Sequence, residues 1–145
     1  LPNEAFTRDA RIVFLDDSIV RGTQLKDNVV KLRECGVKEV HIRIACPPLI
    51  YPCCFLNFST SRSTFDLFAR RVIRDLEGTS ELTDEILKPY SDPDSEKYKE
   101  MVRVMCQHLQ LDSLQFQRLD DLVKAIGLPK EQLCTHCWDN SSYME

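Results

Sequence analysis

The stretch IVFLDDSIVRGT, from Ile12 to Thr23, indicates both the fold of the chain and the place of its site. It opens with a short apolar run that begins with β-branched residues and ends abruptly at Asp16 and Asp17. A run of this kind predicts a parallel strand over 11–15 that is buried on both faces. Because parallel strands carry the residues that follow them to the ligand-binding edge of an α/β sheet, we expect the two aspartates at that edge.

The flanking residues predict alternating strands and helices. Apolar residues spaced four and three apart after Gly22 predict a helix that Gly36 ends: Leu25, Val29 and Leu32. Residues 40–45 alternate apolar and polar side chains and predict a second strand, which completes a βαβ unit. We therefore predict an α/β fold with a mostly parallel sheet flanked by helices. Further helices are expected over 65–76, 96–109 and 119–126, a strand over 114–117, and a loop or small inserted helix over 78–95.

Composition narrows the class of protein. The chain has 145 residues, of which 43% are hydrophobic and 29% charged, and this suits one packed domain. Its net charge of −4 argues against a nucleic-acid partner, because such proteins need a basic surface to displace counterions from phosphate. No apolar run reaches the roughly 20 residues of a membrane helix, so we expect a cytoplasmic protein without a membrane partner. Because the chain begins at Leu1, we expect it to be part of a longer polypeptide.

The loop after the first predicted strand combines groups that suit a sugar phosphate. The adjacent carboxylates of Asp16 and Asp17 can accept hydrogen bonds from neighbouring ribose hydroxyls or hold a hydrated metal ion. Hydroxyl groups, a guanidinium and a glycine follow before the helix, as a phosphate at a helix N-terminus requires: Ser18, Arg21, Gly22 and Thr23. The alternative is that the aspartates cap the helix and Arg21 forms a surface ion pair. The combination of groups favours a ligand site.

The stretch IVFLDDSIVRGTQL resembles the phosphoribosylpyrophosphate (PRPP) motif of type I phosphoribosyltransferases. Its DDSIVRGT form is similar to that of the glutamine PRPP amidotransferases. Two later segments agree with this family, IACPPLIYPCCF at 44–55 and AIGLPKEQLCTHC at 125–137, so the resemblance spans nearly the whole chain in the expected order. Gln24 departs from the family, where a hydroxyl residue commonly follows Gly-Thr.

The resemblance implies a function. Residues 1–145 would be the C-terminal portion of one phosphoribosyltransferase domain, with a family-variable insertion near 78–95 and with the glutaminase domain absent. The complete enzyme would use glutamine-derived ammonia to convert PRPP to 5-phosphoribosylamine and pyrophosphate, the first step of purine synthesis. Asp16 and Asp17 would hold the ribose hydroxyls and Mg²⁺. The implied PRPP-binding residues are Asp16, Asp17, Ser18, Ile19, Val20, Arg21, Gly22 and Thr23. No residue is assigned a catalytic role, and we expect the isolated chain to be almost inactive.

The cysteines are numerous for a chain of this length. There are seven, and an odd number without a secretory signal argues against a disulfide framework. The CxxC pair of Cys134 and Cys137 is compatible with a redox pair, half a zinc site or two buried thiols. Three others lie on or beside predicted apolar faces and are expected in the core: Cys35, Cys46 and Cys106.

The resemblance implies a further cofactor, because many members of the family carry a [4Fe–4S] cluster. Its ligands here would be Cys53, Cys134 and Cys137, with a fourth cysteine upstream of Leu1. Cys54 is the alternative to Cys53, which we favour because it follows a proline as the family's ligand does. The residues after Cys137 depart from the family's usual continuation.

Several interpretations remain open from the sequence. The chain would be a non-catalytic PRPP-sensing module if the loop binds but no reaction follows, or another type I phosphoribosyltransferase such as a base-salvage enzyme. We expect a homo-oligomer, and a sheet whose edge is unprotected unless another chain covers it. The basic residues of the helix predicted over 65–76 are expected to form a solvated face: Arg70, Arg71 and Arg74.

Overall fold

A computed structural model describes residues 8–53 and 63–141 of the chain. Within those ranges three strands form a parallel sheet in the order β1-β2-β3: β1 (Arg11–Asp16), β2 (Glu39–Ile44) and β3 (Ser113–Phe116). Helix α1 (Thr23–Glu34) connects β1 to β2, so the predicted βαβ unit is confirmed. The α/β class with a parallel sheet flanked by helices is also confirmed.

The other helices follow the predicted pattern closely. They are α2 (Phe68–Glu77), α3 (Asp84–Leu87), α4 (Glu96–His108), α5 (Leu119–Ile126) and α6 (His136–Asp139), with 3-10 turns at Thr64–Asp66, Lys88–Ser91 and Lys130–Gln132. The predicted helix over 65–76 begins later, because Ser63 accepts the N–H of Phe65 and closes a separate turn, after which Leu67 is extended. No helix in the described ranges is long and apolar enough to cross a membrane.

One face of the sheet carries the hydrophobic core. Alternate residues of β2 are almost fully buried on this face, and they pack with buried residues of α1, α2 and α4. The core residues of these elements are Val40, Ile42, Ile44, Val29, Leu32, Val72, Ile73, Met101 and Met105. Helices α1, α2 and α4 therefore contribute to the core on this face of the sheet.

The prediction that β1 is buried on both faces is wrong for the described residues. Val13 and Leu15 are 59% and 82% exposed, and Phe14 is 38% exposed. The reason is topological: β1 pairs with β2 on one side only, and Val13 and Leu15 lie beside His41 and Arg43, on the face opposite the core. The expected unprotected edge is thus present, and its side chains are apolar.

Candidate functional site

The candidate site lies where β1 ends. The carbonyl of Asp16 accepts the N–H of Ala45 at 2.9 Å, which keeps β1 and β2 joined up to the point where the loop leaves the sheet. From there the loop runs to Thr23, the first residue of α1. A cavity of about 460 Å³ opens over it, lined by residues 16–25 and by Asn28. All the residues predicted to bind PRPP therefore line the same cavity. Asn28, which was not predicted, lies on α1 and joins them.

Asp16 and Asp17 are exposed and in contact with each other. The backbone N–H of Asp17 donates to Asp16 Oδ1 at 2.9 Å. Partial burial and the neighbouring Asp17 side chain raise the pKa of Asp16 above its ordinary value. Carboxylate oxygens are the donors that Mg²⁺ prefers, so the chemistry of the pair fits the predicted ion.

The alternative role for the aspartates, as caps of the helix, is not what the structure shows. The N-cap of α1 is Gly22, and no side chain of the described residues caps this helix. Both carboxylates are therefore left to line the cavity. The surface ion pair that the same alternative expects for Arg21 is present, with Asp66 at 3.9 Å.

The middle of the loop is anchored to the core. Ile19 is 5% exposed and belongs to the core cluster, so its side chain anchors the loop to the core. Only the backbone of Ile19 is therefore available to a ligand. The carbonyl of Val20 accepts the N–H of Phe68 at 2.8 Å. Gly22 has φ +75°, and a Cβ there would lie 3.1 Å from the Phe68 ring. Phe68, at the start of α2, thus packs against the loop at both Val20 and Gly22.

The prediction that the arginines of α2 form a solvated face is wrong for two of the three. Arg70 Nε donates to the carbonyl of Ile50 at 2.8 Å, and burial lowers the pKa of its guanidinium. Arg71 donates to three backbone carbonyls, including that of Arg21 in the loop. Arg74 alone behaves as predicted, in a surface ion pair with Asp75. Helical periodicity does not distinguish Arg71 from Arg74, so the contact between Arg71 and the loop could not be predicted from the sequence.

The CxxC turn packs against the segment that precedes Cys53. The carbonyl of Cys137 accepts the N–H groups of both Ile50 and Tyr51, at 2.9 and 3.0 Å. Cys53 is buried, and the thiol of Cys137 lies close enough to Cys53 and Cys134 for both to act on it. Burial first, and then these two neighbours, raise the pKa of Cys137 to about 12. The other two predicted cluster ligands therefore both influence the thiol of Cys137.

The three thiols of Cys53, Cys134 and Cys137 are of the type that binds an iron–sulfur cluster, but they are one too few. Thiolates are the right ligands, but a cubane needs four of them. Over residues 8–53 and 63–141, no group of three or more Cys, His, Asp or Glu side chains is arranged to hold a metal ion. Cys54 lies outside the described residues, so the choice between it and Cys53 stays a prediction. Cys46 and Cys106 pack against the core as expected, and Cys35 is half-buried.

The segment over 78–95 contacts the residues that follow the CxxC pair. Ser91 Oγ donates to the carbonyl of Trp138 at 2.9 Å, and Asn140 Nδ2 donates to Asp84 Oδ2 at 3.3 Å. These contacts join the 3-10 turn at Lys88–Ser91 and helix α3 to the chain just after Cys137. The sequence alone offered no role for this segment.

The raised pKa of Cys137 leads to a testable difference in thiol reactivity. Only the thiolate reacts with iodoacetamide, so half-buried Cys137 is expected to be alkylated much more slowly than exposed Cys134 at neutral pH. Mass spectrometry of chelator-treated protein over time measures both rates. A Cys53→Ser variant removes one neighbour that raises the pKa and should speed the reaction of Cys137. Equal rates for Cys134 and Cys137 in the unmodified chain would contradict the described packing.

Comparisons with known proteins agree with this fold. No known protein-family profile matches the chain. An amidophosphoribosyltransferase from Mycobacterium bovis is 30% identical over 145 residues, covering 99% of this chain and 23% of that protein. One from Pyrococcus horikoshii is 54% identical over 52 residues, which are 36% of this chain and 12% of that protein. The solved glutamine PRPP amidotransferase from B. subtilis matches 96% of this chain and 25% of its own, with 25% identity and a TM-score of 0.63.

The described residues have an α/β fold that matches part of the solved glutamine PRPP amidotransferase. Along nearly its whole length, the chain is a homologue of curated amidophosphoribosyltransferases. It spans only about a quarter of the length of these relatives.

Proposed function

We propose that this chain is the PRPP-binding part of an enzyme that transfers glutamine-derived ammonia to PRPP, giving 5-phosphoribosylamine and pyrophosphate. The observation that carries the proposal is the cavity lined by residues 16–25. The loop that lines it begins with the paired carboxylates at the end of β1 and ends where helix α1 begins. The names of the homologues support the reaction class. The glutaminase domain would belong to the rest of the polypeptide.

The described residues would act by positioning and charge. The carboxylates of Asp16 and Asp17 accept hydrogen bonds from the ribose hydroxyls, and the backbone N–H groups and hydroxyls of 18–23 bind the 5′-phosphate. Ammonia then forms a bond to C1 as the bond from C1 to the pyrophosphate oxygen breaks, and the new amine loses a proton. C1 gains positive charge as pyrophosphate leaves, and the fixed sugar presents that carbon to the nucleophile. Mg²⁺ held by Asp16 and Asp17 would offset the phosphate charge.

The region around the CxxC pair would hold a [4Fe–4S] cluster in the complete protein. Cys53, Cys134 and Cys137 supply three thiols, and a fourth would come from another part of the polypeptide. We further propose a cytoplasmic homo-oligomer, in which other parts of the assembly cover the apolar edge strand β1. Val13 and Leu15 would become buried there.

The raised pKa of Asp16 predicts how binding depends on pH. The pair binds Mg²⁺–PRPP when both carboxylates are ionised, so affinity should fall as the pH drops through the raised pKa of Asp16. In an Asp17→Asn variant, Asp16 loses the neighbour that helps to raise its pKa. The midpoint of the profile should then move to lower pH while the maximum affinity falls. Titration calorimetry across the acidic range measures both, and an Asp27→Asn variant should keep the wild-type profile.

The reaction itself is tested by pyrophosphate release from Mg²⁺–PRPP in the natural polypeptide, supplied in turn with ammonia, with glutamine and with purine bases. The proposal predicts release with ammonia and with glutamine. Binding of PRPP without any release would instead identify a PRPP-sensing module. Release only with a purine base would identify a salvage enzyme.

A further inference from the structure

Helix α2 donates hydrogen bonds to the backbone of the loop. At the start of α2 the Phe68 N–H donates to the carbonyl of Val20 at 2.8 Å. One turn later, Arg71 Nη2 donates to the carbonyl of Arg21 at 2.6 Å. Two successive carbonyls of the loop are therefore bound by the same helix, although no residue of α2 lines the cavity.

Arg71 is itself fixed in place. Its Nη1 donates to the carbonyls of Phe65 and Asp66, at 3.3 and 3.2 Å. Its guanidinium carbon lies 5.4 Å from the centre of the Phe68 ring, which is 6% exposed. The carboxylate of Asp66 pairs with Arg21, while Arg71 binds the carbonyl of the same residue. The planar fork of Arg71 thus joins the turn before α2 to the loop, as a lysine could not.

The direction of these two carbonyls determines the direction of two N–H groups. The described peptide bonds are trans, and in a trans peptide the C=O and the following N–H point in opposite directions. With the carbonyls of Val20 and Arg21 directed at α2, the N–H groups of Arg21 and Gly22 point away from it. Because the cavity is lined by the loop and not by α2, N–H groups directed away from α2 are the ones that a ligand in the cavity can reach.

We infer that Arg71 is a positioning residue for phosphate binding: it holds the Arg21–Gly22 peptide so that its N–H is presented to the 5′-phosphate of the ligand. This inference rests on the proposed function, because it assumes that the cavity binds a sugar phosphate. Arg71 does not touch the ligand. Its contribution is to prevent the peptide from rotating, so that the N–H groups need no reorganisation when the phosphate arrives.

The test compares Arg71→Met with Arg74→Met in the natural polypeptide. Both variants remove one guanidinium from the same helix and keep a similar apolar stem, but Arg74 pairs only with its neighbour Asp75 and stacks on Phe65. Titration with Mg²⁺–PRPP and with ribose 5-phosphate should show binding about tenfold weaker for Arg71→Met and unchanged for Arg74→Met. Millimolar guanidinium should restore part of the lost affinity in Arg71→Met alone, which a general loss of folding would not allow. The thermal midpoint of each variant checks its folding.

The outcomes separate this inference from the proposed function. If the wild-type protein binds neither ligand, the proposed function fails, and the inference fails with it. If the wild type binds both and Arg71→Met binds them equally well, the inference alone is overturned. Equal weakening by Arg71→Met and Arg74→Met would also overturn it, because the effect would then come from charge and not from position.

Discussion

Replacing Asp16 and Asp17 together by asparagine is expected to weaken Mg²⁺–PRPP binding about a thousandfold. Each carboxylate would accept a charge-assisted hydrogen bond from a ribose hydroxyl, and each such bond contributes about 2 kcal/mol. The amide that replaces it is uncharged and a weaker Mg²⁺ ligand. Titration calorimetry measures the change directly.

Loss of folding cannot account for that result. The pKa of Asp16 is raised in the folded chain, so its ionised form opposes folding at neutral pH, and an uncharged side chain there should leave stability unchanged or slightly higher. The matched control is Asp27→Asn with Glu34→Gln, which removes two charges from exposed positions on α1 that do not line the cavity. The control should bind as the wild type does. Wild-type affinity in the Asp16 and Asp17 variant would show that the sugar is bound elsewhere.

The second large effect is expected at Gly22. Its φ of +75° is in the left-handed region, where a side chain adds about 1 kcal/mol of strain. A Cβ there would also lie 3.1 Å from the Phe68 ring, at the point where α2 holds the loop. We expect Gly22→Ala to lower the free energy of unfolding by about 2 kcal/mol and to weaken PRPP binding as well. Chemical denaturation and calorimetry measure the two effects.

Gly78 provides a matched control for this substitution. It has a similar φ of +67°, but a Cβ there would meet nothing within 4 Å. Gly78→Ala should therefore show the backbone strain alone, with no change in PRPP affinity. Adding Phe68→Leu to Gly22→Ala should recover part of the loss that is specific to Gly22. If the two glycine variants behave alike in stability and in binding, the contact between Gly22 and Phe68 has no role in the site.

The elements that could be predicted from the sequence are those set by local patterns. The apolar spacing of Leu25, Val29 and Leu32 predicts α1, and Gly36, with φ +82°, ends it as expected. The loop over 16–23 could also be predicted, because its residue types belong to one continuous segment. Its neighbours in space, Phe68 and Arg71, are about fifty residues away in the sequence and could not be.

The wrong predictions share one physical cause. Burial of β1 was inferred from its apolar residues, but burial depends on what covers a strand, and β1 is at the edge of the described sheet. Solvation of Arg70 and Arg71 was inferred from their charge, yet both donate to backbone carbonyls of other segments. In each case tertiary contact, which the local sequence does not encode, decides the environment of the side chain.

The most direct measurement is a crystal structure of the natural polypeptide with Mg²⁺ and PRPP bound. The proposed function predicts the ribose hydroxyls within hydrogen-bonding distance of the Asp16 and Asp17 carboxylates. It also predicts the 5′-phosphate on the N–H groups between Ser18 and Thr23. A sugar phosphate bound at another place, with the cavity over this loop left to solvent, would contradict it.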